Sequence, residues 1–144
     1  MMTERPDWNQ YFLGVAEAVA ARGECLRSRV GAVLVRDRRI VATGYNGVAP
    51  GMPSCLQGLC PRGLMPKTGA HLPYDVDGPG RCIATHAEDN ALRDCLRRGV
   101  DVRPGDTMYV TKEPCDACRA LLHRHGVTAF WESGGRAATA SPAG

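Results

Sequence analysis

Two short motifs bring together the residue types that hold a catalytic zinc ion. His86 is followed after one residue by Glu88, and Pro114 opens a Cys-x-x-Cys motif formed by Cys115 and Cys118. One imidazole and two thiolates are three of the four ligands that zinc usually takes, whereas a structural site closes its shell with a fourth protein ligand. The set therefore predicts a zinc ion with one coordination position left for water.

Glu88 is predicted to be the general acid and base. It stands too close to His86 in sequence to bind the same ion without strain, yet near enough to exchange protons with a water there. It would take a proton from that water for attack on a substrate and then return protons to the group that leaves. The alternative is a structural zinc knot, with Glu88 a solvated helix residue and His86 an ordinary capping or core histidine.

Both motifs are predicted to open helices, with a strand between them. The pattern predicts helices over 86–99 and 115–125, each ended by a glycine, and strands over 107–111 and 127–131. The free N–H groups of a helix start, with its positive dipole end, favour anionic thiolates. The expected buried residues are Ala87, Ala91, Leu92, Cys95 and Leu96 on the first helix and Ala120, Leu121 and Leu122 on the second.

The N-terminal part of the chain predicts a helix followed by a hairpin. Apolar residues recur at helical spacing over 8–22, with Asp7 as the N-cap and Gln10 as its capping-box partner. The β-branched runs 30–35 and 40–45 flank a charged turn and predict two paired strands. These strands are expected to begin a central sheet.

Composition predicts one domain over 1–132, with a long irregular insertion over 47–81 and a disordered tail over 133–144. The net charge of +3 is small and the arginine runs are interrupted by acids, so we expect no nucleic-acid partner. We find no leader pattern and no long apolar run, and therefore expect a cytoplasmic protein without a membrane partner. Seven cysteines in such a chain indicate metal ligands and buried thiols rather than disulfides.

The two zinc motifs match the His-x-Glu and Pro-Cys-x-x-Cys signature of zinc deaminases. The chain resembles the cytidine and deoxycytidylate deaminase family, and most of all its deoxycytidylate branch. The resemblance implies an α/β fold, a three-layer α/β/α sandwich around a five-stranded mixed sheet, with one catalytic Zn²⁺. It also implies hydrolysis of dCMP to dUMP and ammonia, and a homo-oligomer. It is carried by residues 8–13, 25–33, 44–47, 86–91 and 109–111.

The same resemblance suggests two substrate-binding residues. Asn46 would contact the sugar or phosphate of the nucleotide, and Arg27 would pair with the 5′-phosphate, which a guanidinium can bind at two points. The alternatives are a turn residue for Asn46, within Tyr-Asn-Gly, and a surface arginine for Arg27.

Some relatives carry a second, structural zinc held partly by cysteines. Cys55, Cys60 and Cys82 bracket the irregular segment, and Cys25 could complete a four-sulfur site that holds it in place. The alternatives are ordinary thiols, or His71 in place of one ligand.

Three further functions stay open. The chain could deaminate a free nucleoside or another aminopyrimidine-type metabolite, or serve as a non-enzymatic zinc scaffold. A nucleic-acid base deaminase is disfavoured, because only eight aromatic residues are available to stack on a strand.

Overall fold

The computed structural model describes residues 4–23, 28–47, 86–133 and 136–141 of the chain. The predicted insertion over 47–81 lies outside the described residues, except for Gly47. The elements, in chain order, are α1 (Trp8–Ala20), β1 (Gly31–Arg36), β2 (Arg39–Tyr45), α2 (Ala87–Arg98), β3 (Thr107–Val110), α3 (Asp116–Arg124), β4 (Thr128–Ser133) and β5 (Arg136–Ala140).

The five strands form one mixed sheet in the order β2-β1-β3-β4-β5. Strands β3 and β4 are parallel, since α3 connects them as a crossover helix, and the other neighbours are antiparallel. Within the β1–β2 hairpin, Asp37 and Arg38 both adopt positive φ, which is typical of the tight turn that joins two twisted strands.

Helices cover both faces of the sheet. Successive side chains of a strand point to opposite faces, so Val33 and Val35 of β1 pack with α1, while Ala32 and Leu34 pack with α2 and α3. The predicted three-layer α/β/α architecture is therefore confirmed. Among the described residues, no helix has the length and apolar character needed to cross a membrane.

The helix ends follow their predicted signals. Asp7 Oδ1 accepts a hydrogen bond from Gln10 N at 2.8 Å, and Asp7 N donates to Gln10 Oε1 at 3.4 Å, which confirms the capping box of α1. Helix α2 stops at Gly99, whose φ of 66° lies in the left-handed region that glycine tolerates best.

The prediction of a disordered tail over 133–144 was wrong for its central part. Residues Arg136–Ala140 form β5, which pairs antiparallel with β4 from Ser133↔Arg136 to Ala129↔Ala140. Its small residues carry no strong periodic signal, so only the available edge of β4 specifies the strand. Ala138 and Ala140 are partly buried against the α2/α3 side of the core.

Two expected core positions are exposed. Leu96 of α2 is 80% exposed, because the buried stripe of that helix runs through Ala91 and Cys95, four residues apart. Ala120 of α3 is exposed for the same reason, since Cys118 and Leu122 form the buried face of that helix. Cys95, in contrast, is buried as predicted.

Candidate metal centre

Two helix starts converge at the site. His86 is the N-cap of α2 and Cys115 is the N-cap of α3, both with extended backbone, and Cys118 lies in the first turn of α3. Neither N-cap side chain makes a capping hydrogen bond. Their donor atoms are directed towards each other instead.

The distances between these donor atoms suit a tetrahedral zinc ion. His86 Nδ1 lies 3.3 Å from Cys118 Sγ and 3.5 Å from Cys115 Sγ, and all three atoms lie within 4.8 Å of one another. Zinc with ordinary bond lengths and tetrahedral angles separates its nitrogen and sulfur ligands by about 3.6 Å. Three residues that the sequence proposed as ligands are thus brought to the spacing that zinc requires.

Glu88 is buried beside this group. Glu88 lies in the first turn of α2 and is only 4% exposed. Burial raises the pKa of the Glu88 carboxyl, although hydrogen bonds with its own backbone and with Cys118, and the positive charge of Lys112, lower it in part. A carboxyl in such surroundings can hold a proton nearer to neutral pH than an exposed one.

The thiol of Cys118 is also shielded from solvent. Burial raises its pKa, and the nearby carboxyl of Glu88 and thiol of Cys115 raise it further. A coordinating cation reverses this effect, because a metal-bound thiol is deprotonated. A buried Cys118 thiol beside two partly exposed donors is therefore an arrangement that a cation would stabilise.

Contacts with β2 hold α2 in place. Asn90 Nδ2 donates to Tyr45 O at 2.7 Å, which joins the first turns of α2 to the end of β2. At Gly44 the backbones approach so closely that an added Cβ would lie 2.4 Å from Ala87 O and 2.3 Å from Ala91 N. Only a glycine allows α2, with His86 at its start, to rest directly on the strand.

Asn46 directly follows the last residue of β2 and is buried, with 8% of its surface exposed. Its Oδ1 accepts a hydrogen bond from Val30 N at 2.9 Å, and its Nδ2 donates to Ser28 O at 2.7 Å. These bonds use one of the two N–H groups and one of the two acceptor positions of the amide. The other proposed binding residues, Arg27 and the cysteines Cys25, Cys55, Cys60 and Cys82, lie outside the described residues.

Sequence reasoning missed a cluster next to the ligands. Arg119 hydrogen-bonds to Glu113 and Pro114, the two residues before Cys115, and its guanidinium lies over the ring of Trp131. The sequence could have indicated this contact, because Arg119 stands four positions after Cys115 and residues four apart lie on the same side of a helix.

Comparison with known proteins gives a consistent result. The model of the cytidine and deoxycytidylate deaminase zinc-binding region matches residues 6–131. A relative named deoxycytidylate deaminase, from Mycobacterium phage D29, is 48% identical over 85% of this chain and 91% of its own length. A Saccharomyces cerevisiae relative of the same name is 36% identical over 86% of this chain, which spans 36% of that protein.

The fold is shared with solved structures. The crystal structure of dCMP deaminase from cyanophage S-TIM5, in complex with dCMP and dUMP, aligns with a TM-score of 0.66 at 22% identity. The alignment covers 89% of this chain and 82% of that one. The family match and the phage relative together establish that the chain belongs to the cytidine and deoxycytidylate deaminase zinc-binding family.

Proposed function

We propose that this chain is a zinc-dependent deaminase that hydrolyses dCMP to dUMP and ammonia. The observation that carries the proposal is an incomplete set of three zinc ligands, His86, Cys115 and Cys118, with the buried carboxyl of Glu88 beside it. The deoxycytidylate deaminase of phage D29, similar over nearly its whole length, supports dCMP as the substrate.

Zinc, when held by His86, Cys115 and Cys118, would lower the pKa of a coordinated water so that it is a nucleophile at neutral pH. The protein's own contribution is proton transfer by Glu88. Its carboxylate takes a proton from the water as the oxygen adds to C4 of the cytosine ring, and gives that proton to N3. It then moves the remaining hydroxyl proton to the amino group, so that the C4–N bond breaks, ammonia leaves and the carbonyl of uracil forms.

The surroundings of Glu88 suit this double role. A general acid and base works best when its pKa is near the working pH, and burial moves the carboxyl pKa in that direction. Exclusion of solvent also strengthens every electrostatic interaction within the site. In a zinc scaffold Glu88 was expected to be a solvated helix residue, and such a residue would be exposed. The burial of Glu88 therefore favours the enzyme.

Asn46 and Arg27 remain our proposed substrate contacts. The position of Asn46 at the end of β2, next to the strand residue that Asn90 of α2 contacts, supports a place near the nucleotide. Arg27 supplies the type of group that pairs with a 5′-phosphate. We also propose a cytoplasmic homo-oligomer; light scattering tests the assembly, which should exceed the 15.5 kDa of one chain.

A substrate panel tests the function. Zinc-loaded protein is incubated with dCMP, CMP, deoxycytidine and cytosine, and loss of the amino group is followed by absorbance. We expect dCMP to be the best substrate. Equal turnover of deoxycytidine would refute recognition of the phosphate and favour the nucleoside deaminase.

The variant Glu88→Gln separates the enzyme from a scaffold. It keeps the shape of the side chain but cannot transfer protons, so we expect turnover to fall by at least about 10²–10⁴-fold while zinc content and the far-UV spectrum stay unchanged. A wild-type protein that binds zinc but is inactive on every substrate would favour the scaffold.

A further inference from the structure

The side chain of Arg119 reaches back from the first turns of α3 to the turn that precedes Cys115. Its Nη2 lies 2.6 Å from Glu113 Oε1, and its Nε donates to Pro114 O at 3.2 Å. These two partners are the residues immediately before Cys115 in the chain. One guanidinium therefore holds both residues that lead into a proposed zinc ligand.

Trp131 provides a rigid surface for the same guanidinium. Arg119 Cζ lies 5.3 Å from the centre of the Trp131 ring, a distance at which a cation is attracted to an aromatic face. Trp131 is 4% exposed, on β4, and belongs to the core beneath α2 and α3. The ring of Trp131 in the sheet thus fixes the position of the Arg119 guanidinium, and the hydrogen bonds of Arg119 in turn fix the position of residues 113–114.

The turn needs such a support because of the way α3 begins. A helix N-cap is ordinarily stabilised by its own side chain, which accepts a hydrogen bond from the first turn. Cys115 makes no such bond, since its sulfur is directed towards His86. The turn also carries Lys112 and Glu113 on its exposed side.

We propose that Arg119 is a positioning residue of the metal centre: with its guanidinium held against Trp131, it fixes Glu113 and Pro114 and thereby places Cys115 Sγ for zinc. This inference rests on the proposed function. Groups that orient metal ligands commonly change metal affinity by about 10–100-fold when they are removed. We expect the lower end of this range, because the ion pair with Glu113 is solvent-exposed.

The test compares zinc affinity with the stability of the zinc-free chain. Wild type, Arg119→Gln, Arg119→Lys and the control Arg124→Gln, an exposed arginine in the last turn of the same helix, are purified as full chains. Zinc affinity is measured by competition with a chelator, and unfolding of the zinc-free proteins by urea. The absorption spectrum of the cobalt-substituted proteins reports the geometry of the thiolate ligands.

We expect Arg119→Gln to weaken zinc binding about tenfold and to change the cobalt spectrum, with Arg124→Gln matching wild type in both. Arg119→Lys should recover the charge but not the planar, two-point contact, and so stay clearly weaker than wild type. Zinc affinity within about twofold of wild type for Arg119→Gln would overturn the proposal, even if the zinc-free chain were less stable. Zinc affinity equal to that of wild type in Arg119→Lys would overturn the proposal as well, because a positive charge alone would then suffice.

Glu113→Gln decides the question if Arg119→Gln does not fold. The substitution lies on the exposed turn and removes only the ion pair, so we expect zinc binding to weaken by roughly threefold. No weakening would contradict the proposal. Failure of the proposed function gives a different result, in which the wild-type chain itself binds no zinc or deaminates none of the substrates.

Discussion

The contact of Gly44 with α2 allows a sharp test of how the fold supports the site. In Gly44→Ala the new Cβ would lie 2.3 Å from Ala91 N, 2.4 Å from Ala87 O and 2.9 Å from Ala91 Cα. All three are backbone atoms of a helix and cannot rotate away. To restore an ordinary contact of 3.4 Å, α2 must retreat from β2 by about 1 Å.

Overpacking of this kind destabilises a protein by about 1–3 kcal/mol, and we expect about 2–3 kcal/mol here because no flexible side chain can yield. The melting temperature of a domain of this size should then fall by roughly 4–10 °C. The retreat of α2 also displaces His86 and Glu88 relative to the cysteines of α3, which changes the spacing of the donor atoms. Zinc affinity should therefore fall together with stability.

Gly14→Ala is the matched control, since it is the same substitution in the same chain. An added Cβ at Gly14 meets no atom within 4 Å, and Gly14 lies inside α1. Alanine is the better helix former, so this variant should be more stable by about 0.5–1 kcal/mol. Urea unfolding followed by circular dichroism measures both variants. If Gly44→Ala were as stable as wild type, the close approach of α2 and β2 would be refuted.

The remaining predictions concern an ion pair and the number of metal ions. The carboxylate of Asp106, 2% exposed, accepts hydrogen bonds from Arg36 Nε at 2.8 Å, Arg36 Nη2 at 2.7 Å and Arg103 N at 2.9 Å. Burial alone would raise the pKa of Asp106, but these bonds and the charge of Arg36 lower it below its ordinary value. The ion pair should therefore stabilise the fold fully at pH values above the ordinary pKa of Asp, and this stabilisation should be lost as the pH falls through the lower pKa of the folded state. The variant Asp106→Asn should be about 3 kcal/mol less stable near neutral pH, and its stability should fall less in acid, as measured by urea unfolding. An acid dependence equal to that of wild type would contradict this prediction. If Cys25, Cys55, Cys60 and Cys82 hold a second zinc, elemental analysis of the purified chain will give two zinc ions per chain; a count of one would eliminate that site, and these cysteines would then be ordinary thiols.

Local sequence signals predicted most of the elements well. The capping box of Asp7 and Gln10 and the stop at Gly99 depend on neighbours a few residues apart, so their outcome needs no knowledge of the rest of the chain. Strand β5 was missed for the opposite reason. The strand is stabilised by backbone hydrogen bonds to β4, and the pattern of its small residues, such as Ala138, does not predict this pairing.

Helix faces were predicted only in part. Periodicity indicates which residues are apolar, but the direction in which a helix leans on the sheet decides which of them are covered. Leu96 and Ala120 therefore turned out exposed, although both belong to apolar runs.

The kind of chemistry follows from the sequence by itself, because residue types and short spacings determine which ligands and which carboxyl a helix start can offer. His86 with Glu88, and Cys115 with Cys118, are close in any folded form of these two segments. Tertiary structure alone decided that the two segments meet, since 29 residues separate His86 from Cys115 and only packing of α2 and α3 on one face of the sheet brings their donor atoms to 3.5 Å. The same packing buries Glu88 and so raises its pKa, and it places the guanidinium of Arg119 over the ring of Trp131. Burial and long-range contacts of this kind depend on the whole fold.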